Sequence, residues 1–167
     1  MHPVAVKTAL QMFFAGYFCL AFRWWRYFFI HVALVINLDY KGDQSTILVF
    51  DEGMPKKLYD AVPCPIDDDD AVKKTIFWRR FNTRFLPGIV DSLSVLTNIF
   101  VYLYLDGDAL LTRMKLRDPE WFNEMGVSGL GMRYKLQEEL YMDFLETAKK
   151  EGFITHVIDS GDMDDAI

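Results

Sequence analysis

The chain has 167 residues, of which 51% are hydrophobic, 16% aromatic and 25% charged, with a formal net charge of -6. That is the size of one ordinary domain, able to bury a real core, and the composition excludes global disorder. The acidic balance argues against a general nucleic-acid binder, because phosphate recognition needs net or strongly local positive charge, while a mean hydropathy of +0.07 tilts toward a membrane setting.

From Thr8 to Leu38 the sequence is almost wholly apolar, interrupted by Arg23-Trp24-Trp25-Arg26, His31 and Asn37. As a helix, Thr8 to Phe22 spans about 22 Å at 1.5 Å per residue, short of the roughly 30 Å of hydrocarbon, so it is a marginal span. Arg23, Trp24, Trp25 and Arg26 have the chemistry of a headgroup anchor: indoles favour the interface and arginines reach toward phosphates. Tyr27 to Leu38 reads as a continuation of the helix. The alternative is a soluble α+β fold in which this run pairs with Thr46–Phe50 as a hairpin at about 27–50.

Residues 39–70 read as a connector ending in Asp67-Asp68-Asp69-Asp70, where aspartate chemistry predicts a helix start. On that helix Lys73, Arg80 and Arg84 fall together beside an arc of Phe77, Trp78, Phe81 and Phe85. Such a pattern suits a helix lying in a membrane interface, or a surface helix packed on a core. Pro87-Gly88 is expected to break or kink it. Ile89 to Leu105 then reads as a second apolar helix with an interhelical polar stripe of Asp91, Ser94 and Asn98, which in lipid would have to face another helix.

Further on, Asp118-Pro119-Glu120 predicts a short helix stopping at Gly126, because proline fits the first helical position. A longer helix is expected from about Met132 to Lys150, with Leu136, Leu140, Phe144 and Ala148 as its buried stripe. Residues 153–158 could add one short strand, and 159–167 form an acidic tail. The whole reads as a single unit, with segments 8–38, 39–70, 71–105, 106–158 and 159–167.

No catalytic, metal or cofactor-binding residues are expected. The aspartate run cannot converge on one ion, Gly126, Gly129 and Gly131 lack the order of a phosphate-binding fingerprint, and His2, His31 and His156 carry no adjacent motif. Cys19 and Cys64 read as free thiols. If both apolar segments cross, ten of the 18 Lys and Arg fall between them, which would set that region on the cytoplasmic or matrix side.

The expectation is therefore a mainly α, small helical membrane-associated protein with one or two apolar helices. Its expected role is a non-catalytic accessory or structural subunit of a larger membrane complex, an organellar respiratory or ATP-synthesising assembly being the favoured instance. Expected partners are other protein subunits and anionic membrane lipid, touched through Arg23, Trp24, Trp25, Arg26, Lys73, Arg80 and Arg84, with no nucleic acid. The expected location is a membrane, the mitochondrial inner membrane as one instance. The alternative is a cytoplasmic, acidic interaction protein of inhibitor or immunity type that masks a basic partner.

Overall fold

Aspartate chemistry sets the start of the longest helix. In the computed structural model, which describes residues 3–40, 54–94, 99–104 and 106–159, the Asp67 carboxylate accepts a hydrogen bond from the Asp70 N–H at 2.8 Å. The Asp70 carboxylate in turn accepts from the Ile66 N–H at 2.9 Å, so the acidic run is a helix cap that satisfies backbone donors at both sides of the boundary.

Seven helices and two strands are present among the described residues: α1 (Pro3–Phe14), α2 (Phe18–Tyr40), α3 (Met54–Tyr59), α4 (Asp68–Leu93), β1 (Ile99–Tyr104), α5 (Gly107–Arg117), α6 (Pro119–Met125), α7 (Val127–Lys150) and β2 (Ile154–Asp159). The chain is mainly helical with a small parallel sheet. α4 is the centre of the core, packed on α7 along one side and on α1 along another. It buries Trp78, Phe81, Phe85, Ile89 and Leu93, spaced by three or four residues, against Leu136, Leu140, Phe144 and Ala148 of α7. α3 closes the seam between them. Gln137 of α7 donates its side-chain amide to the Tyr59 carbonyl at 2.8 Å, and the Tyr59 hydroxyl donates to Asn82 Oδ1 at 3.0 Å.

β1 and β2 pair in parallel, Ile99 opposite Ile154 and Tyr104 opposite Asp159. The inner face packs on α7: Phe100 meets Phe144 edge-on at 5.0 Å and Tyr102 stacks on Tyr141 at 5.0 Å between centroids.

Four expectations need correction. The Thr8–Phe22 run is not one helix, because α1 stops in a glycine turn: the Gly16 and Tyr17 N–H groups donate back to the Phe13 and Met12 carbonyls, with Gly16 at φ +87°. The helix at 68 is not broken at Pro87-Gly88. Pro87 is exposed, as is Thr83 four residues earlier, so water can replace the donor that proline removes from the Thr83 carbonyl. The second apolar helix over 89–105 does not form: Ile89–Leu93 completes α4 and Ile99–Tyr104 is a strand, as its β-branched and aromatic residues favour. Finally, the last long helix begins at Val127 and not near Met132, so Gly129 and Gly131 lie inside α7. A Cβ at Gly129 would sit 2.9 Å from the Pro65 carbonyl, so glycine there admits the 62–66 segment against the helix.

Residues 27–40 are helical, which removes the first strand of the alternative hairpin; its second arm, 46–50, lies outside the described residues. No helix among the described residues is long and apolar enough to cross a membrane.

Candidate functional site

The surface that distinguishes this chain is built by α1 and α2. The Gly16 turn folds them into a hairpin, and the Tyr17 ring clamps that turn to α4 by packing on Phe77, Phe81 and Phe85 at 5.2–5.4 Å. Along α1, Thr8 passes so near Gly88 that a Cβ there would lie 2.5 Å from the Thr8 hydroxyl oxygen. The absent side chain lets the two helices approach.

α2 presents two apolar faces. Toward the core it buries Leu20, Ala21, Trp24, Phe28 and His31, the last with Nδ1 donating to the Tyr27 carbonyl at 2.7 Å. Toward the outside it shows Phe18, Phe22, Phe29 and Ile36, with Phe22 69% exposed. Phe13 and Phe14 of α1 extend the row past the turn: the Phe13 ring is 4.8 Å from Phe18, and Phe14 is 82% exposed. A helix with apolar residues on two opposite sides calls for cover on both, and the described residues cover one.

The expected contact residues divide. Trp24 is 1% exposed, so it is a core residue and cannot touch a lipid or a partner. Trp25 is half-buried and packs edge-on against Phe29 at 4.7 Å. Arg23 is half-buried and donates to the Lys57 carbonyl at 3.1 Å, tying α2 to α3, while Arg26 is exposed. Lys73, Arg80 and Arg84 are all exposed on α4. Arg84 lies over the Phe85 ring at 5.3 Å, beside a shallow cleft of about 460 Å³ lined also by Lys7, Leu10 and Phe14. The aromatic arc that suggested an interfacial α4 is largely core: Trp78, Phe81 and Phe85 are buried, and Phe77 alone is exposed.

Of the polar stripe, Asp91 lines an open cleft between α1 and α4 with Lys7 and Gln11. Asp91 and Ser94 are exposed, with the Ser94 hydroxyl donating to the Asp91 carbonyl at 2.7 Å, and Asn98 lies outside the described residues. The row Phe18, Phe22, Phe29 and Ile36 was not singled out in the sequence. Its signal was present as a spacing of four, seven and seven residues, hidden because the intervening residues are apolar too.

Elsewhere the polar chemistry is structural. Tyr59, Tyr102 and Tyr141 form a phenol cluster, Tyr59 and Tyr141 meeting edge-on at 5.2 Å. Burial raises the Tyr59 and Tyr141 hydroxyls far above the ordinary tyrosine range and Tyr102 to about 12. All three are neutral at physiological pH and poor bases, and the Tyr59 hydroxyl is held as a donor to Asn82. No group of three or more His, Cys, Asp or Glu side chains that could hold a metal occurs among the described residues. His31 lies on α2 and His156 on β2, and neither lines the cleft beside Arg84.

Compared with protein-family models, with curated proteins and with solved structures, the chain matches none.

Proposed function

We propose that this chain is a non-catalytic accessory or structural subunit of a larger membrane protein complex, with an organellar respiratory or ATP-synthesising assembly as the favoured setting. The observation that carries the reading is the outward row of Phe18, Phe22, Phe29 and Ile36 on α2. A free monomer would hold this row in water, and burial of such side chains is worth about 1.5–3 kcal/mol each, so the chain gains by working where the row is covered. The absence of a spanning helix among the described residues is compatible with a subunit seated beside the spanning parts of its complex.

The test is affinity purification of the tagged chain from membranes in mild detergent, followed by native electrophoresis. A defined set of membrane proteins is expected to co-migrate with it. Recovery as a detergent-free monomer from the soluble fraction would overturn the proposal.

A further inference from the structure

α2 has its outward aromatics on one line. At 100° per residue, Phe18, Phe22, Phe29 and Ile36 fall within an arc of about 40°, and the row from Phe18 to Ile36 is about 27 Å long. It is a ridge of three projecting rings and one isoleucine. On one flank lies Trp25, half-buried; on the other lie Arg26, exposed, and Arg23, half-buried.

Charge separates this region from the rest of the molecule. The chain carries 24 Asp and Glu, yet none occurs before Asp39, while Lys7, Arg23 and Arg26 all lie in that opening stretch. Arg84 extends the positive ground, since it shares the cleft of Lys7 and Phe14 at the side of the hairpin. A protein of net charge -6 therefore offers an aromatic ridge on two helices that carry cations and no carboxylate before Asp39, with Asp91 and Glu151 near Lys7 at a second cleft along α1.

A second copy is a poor occupant. In an antiparallel two-fold pairing centred on the ridge the axis passes near residue 27, so Arg26 would lie close to its own counterpart, where like charges repel. What suits the ridge is a medium that takes projecting rings without a matching groove and supplies anions at their flank. We infer that the outer face of α2, resting on the reading that this chain works at a membrane, lies in the plane of an anionic bilayer. Phe18, Phe22, Phe29 and Ile36 enter the boundary between headgroups and acyl chains, Trp25 sits at headgroup depth, and Arg26 pairs with lipid phosphate. The hairpin then lies on one leaflet without crossing it.

The test is flotation of the purified full chain with vesicles of phosphatidylcholine alone and of an equal mixture of phosphatidylcholine and phosphatidylglycerol. The chain is expected to float with the mixed vesicles and about tenfold or more weakly with the neutral ones. The double substitution Phe18→Ser, Phe22→Ser alters exposed side chains, so its helical circular dichroism should stay intact while binding falls by about tenfold or more. Arg26→Gln should lose several-fold on the anionic vesicles. Arg79→Gln, which removes a cation paired with Glu139 on another face, should change nothing. Flotation untouched by the double substitution would overturn the inference, as would a solution dimer that the double substitution dissolves. A chain that ignores both vesicles yet co-purifies with membrane proteins in mild detergent would overturn the lipid contact alone. One that does neither would remove the proposed function with it.

Discussion

α7 and α2 are of similar length, 24 and 23 residues, and solve opposite problems. α7 buries Leu136, Leu140, Phe144 and Ala148 and turns Lys135, Asp143, Glu146 and Lys150 to water, with Glu146 and Lys150 paired at 2.7 Å one turn apart. Its chain supplies everything it needs. α2 buries Trp24 and Phe28 just as deeply, but its other side is phenylalanine where α7 has lysine and glutamate. Folding accounts for the inner face of α2, while Phe18, Phe22, Phe29 and Ile36 on its outer face stay exposed.

The sharpest way to break that contrast is to truncate one phenylalanine from each class and follow urea unfolding of the purified chain. Phe81→Ala, in the core, should cost about 3–5 kcal/mol, whereas Phe22→Ala should stay within about 0.5 kcal/mol. Equal costs would mean that the outer face of α2 is buried in the purified state. Next in size, Tyr59→Phe leaves the buried Asn82 oxygen without its donor and should cost about 1–3 kcal/mol by the same measurement.

The same phenol cluster sets a pH limit. Because burial raises the hydroxyls of Tyr59, Tyr102 and Tyr141, the folded state keeps protons that the unfolded chain releases near pH 10. Their contribution is intact below about pH 10 and is lost as pH rises through the raised values. Tyrosinate absorbance during alkaline titration should therefore appear in two phases, the later one coinciding with loss of helical signal. A single phase near pH 10 in a folded chain would contradict the burial.

Smaller effects probe how the hairpin is held. Gly88→Ala should lower stability by about 1 kcal/mol, the crowding against Thr8 outweighing alanine's better helix propensity. Adding Thr8→Ala should recover part of it if the contact is the cause. Asp67→Ala removes the α4 cap and should cost about 0.5–2 kcal/mol, read as a lower midpoint of thermal unfolding.

Much of the fold could be read where polar and apolar residues alternate with a period. The Asp67 cap, the Asp118-Pro119 start of α6, its stop at Gly126, the buried stripe of α7 and a strand near 153–158 all follow from local chemistry. Where the sequence is uniformly apolar, periodicity has no contrast to report. That is why the turn at Gly16 passed unseen inside Thr8–Phe22, why Ile99–Tyr104 read as helix, and why the ridge of α2 was invisible beside the more conspicuous Arg23–Arg26 cluster. Of the cations there, Arg26 is exposed, while Arg23 is half-buried and donates to the Lys57 carbonyl. The burial of Trp24 was not legible, because it depends on where α1 and α3 pack.

The parallel pairing of β1 with β2 also orders events in time. Tyr104 and Ile154 stand fifty positions apart, so at a synthesis rate of about 5–20 residues per second roughly 3–10 s pass between the emergence of one strand and the next. The hairpin and α4 leave the ribosome well before the sheet can close. The phenylalanines of α1 and α2 are thus made well before the sheet can close, which leaves them an interval for capture during translation.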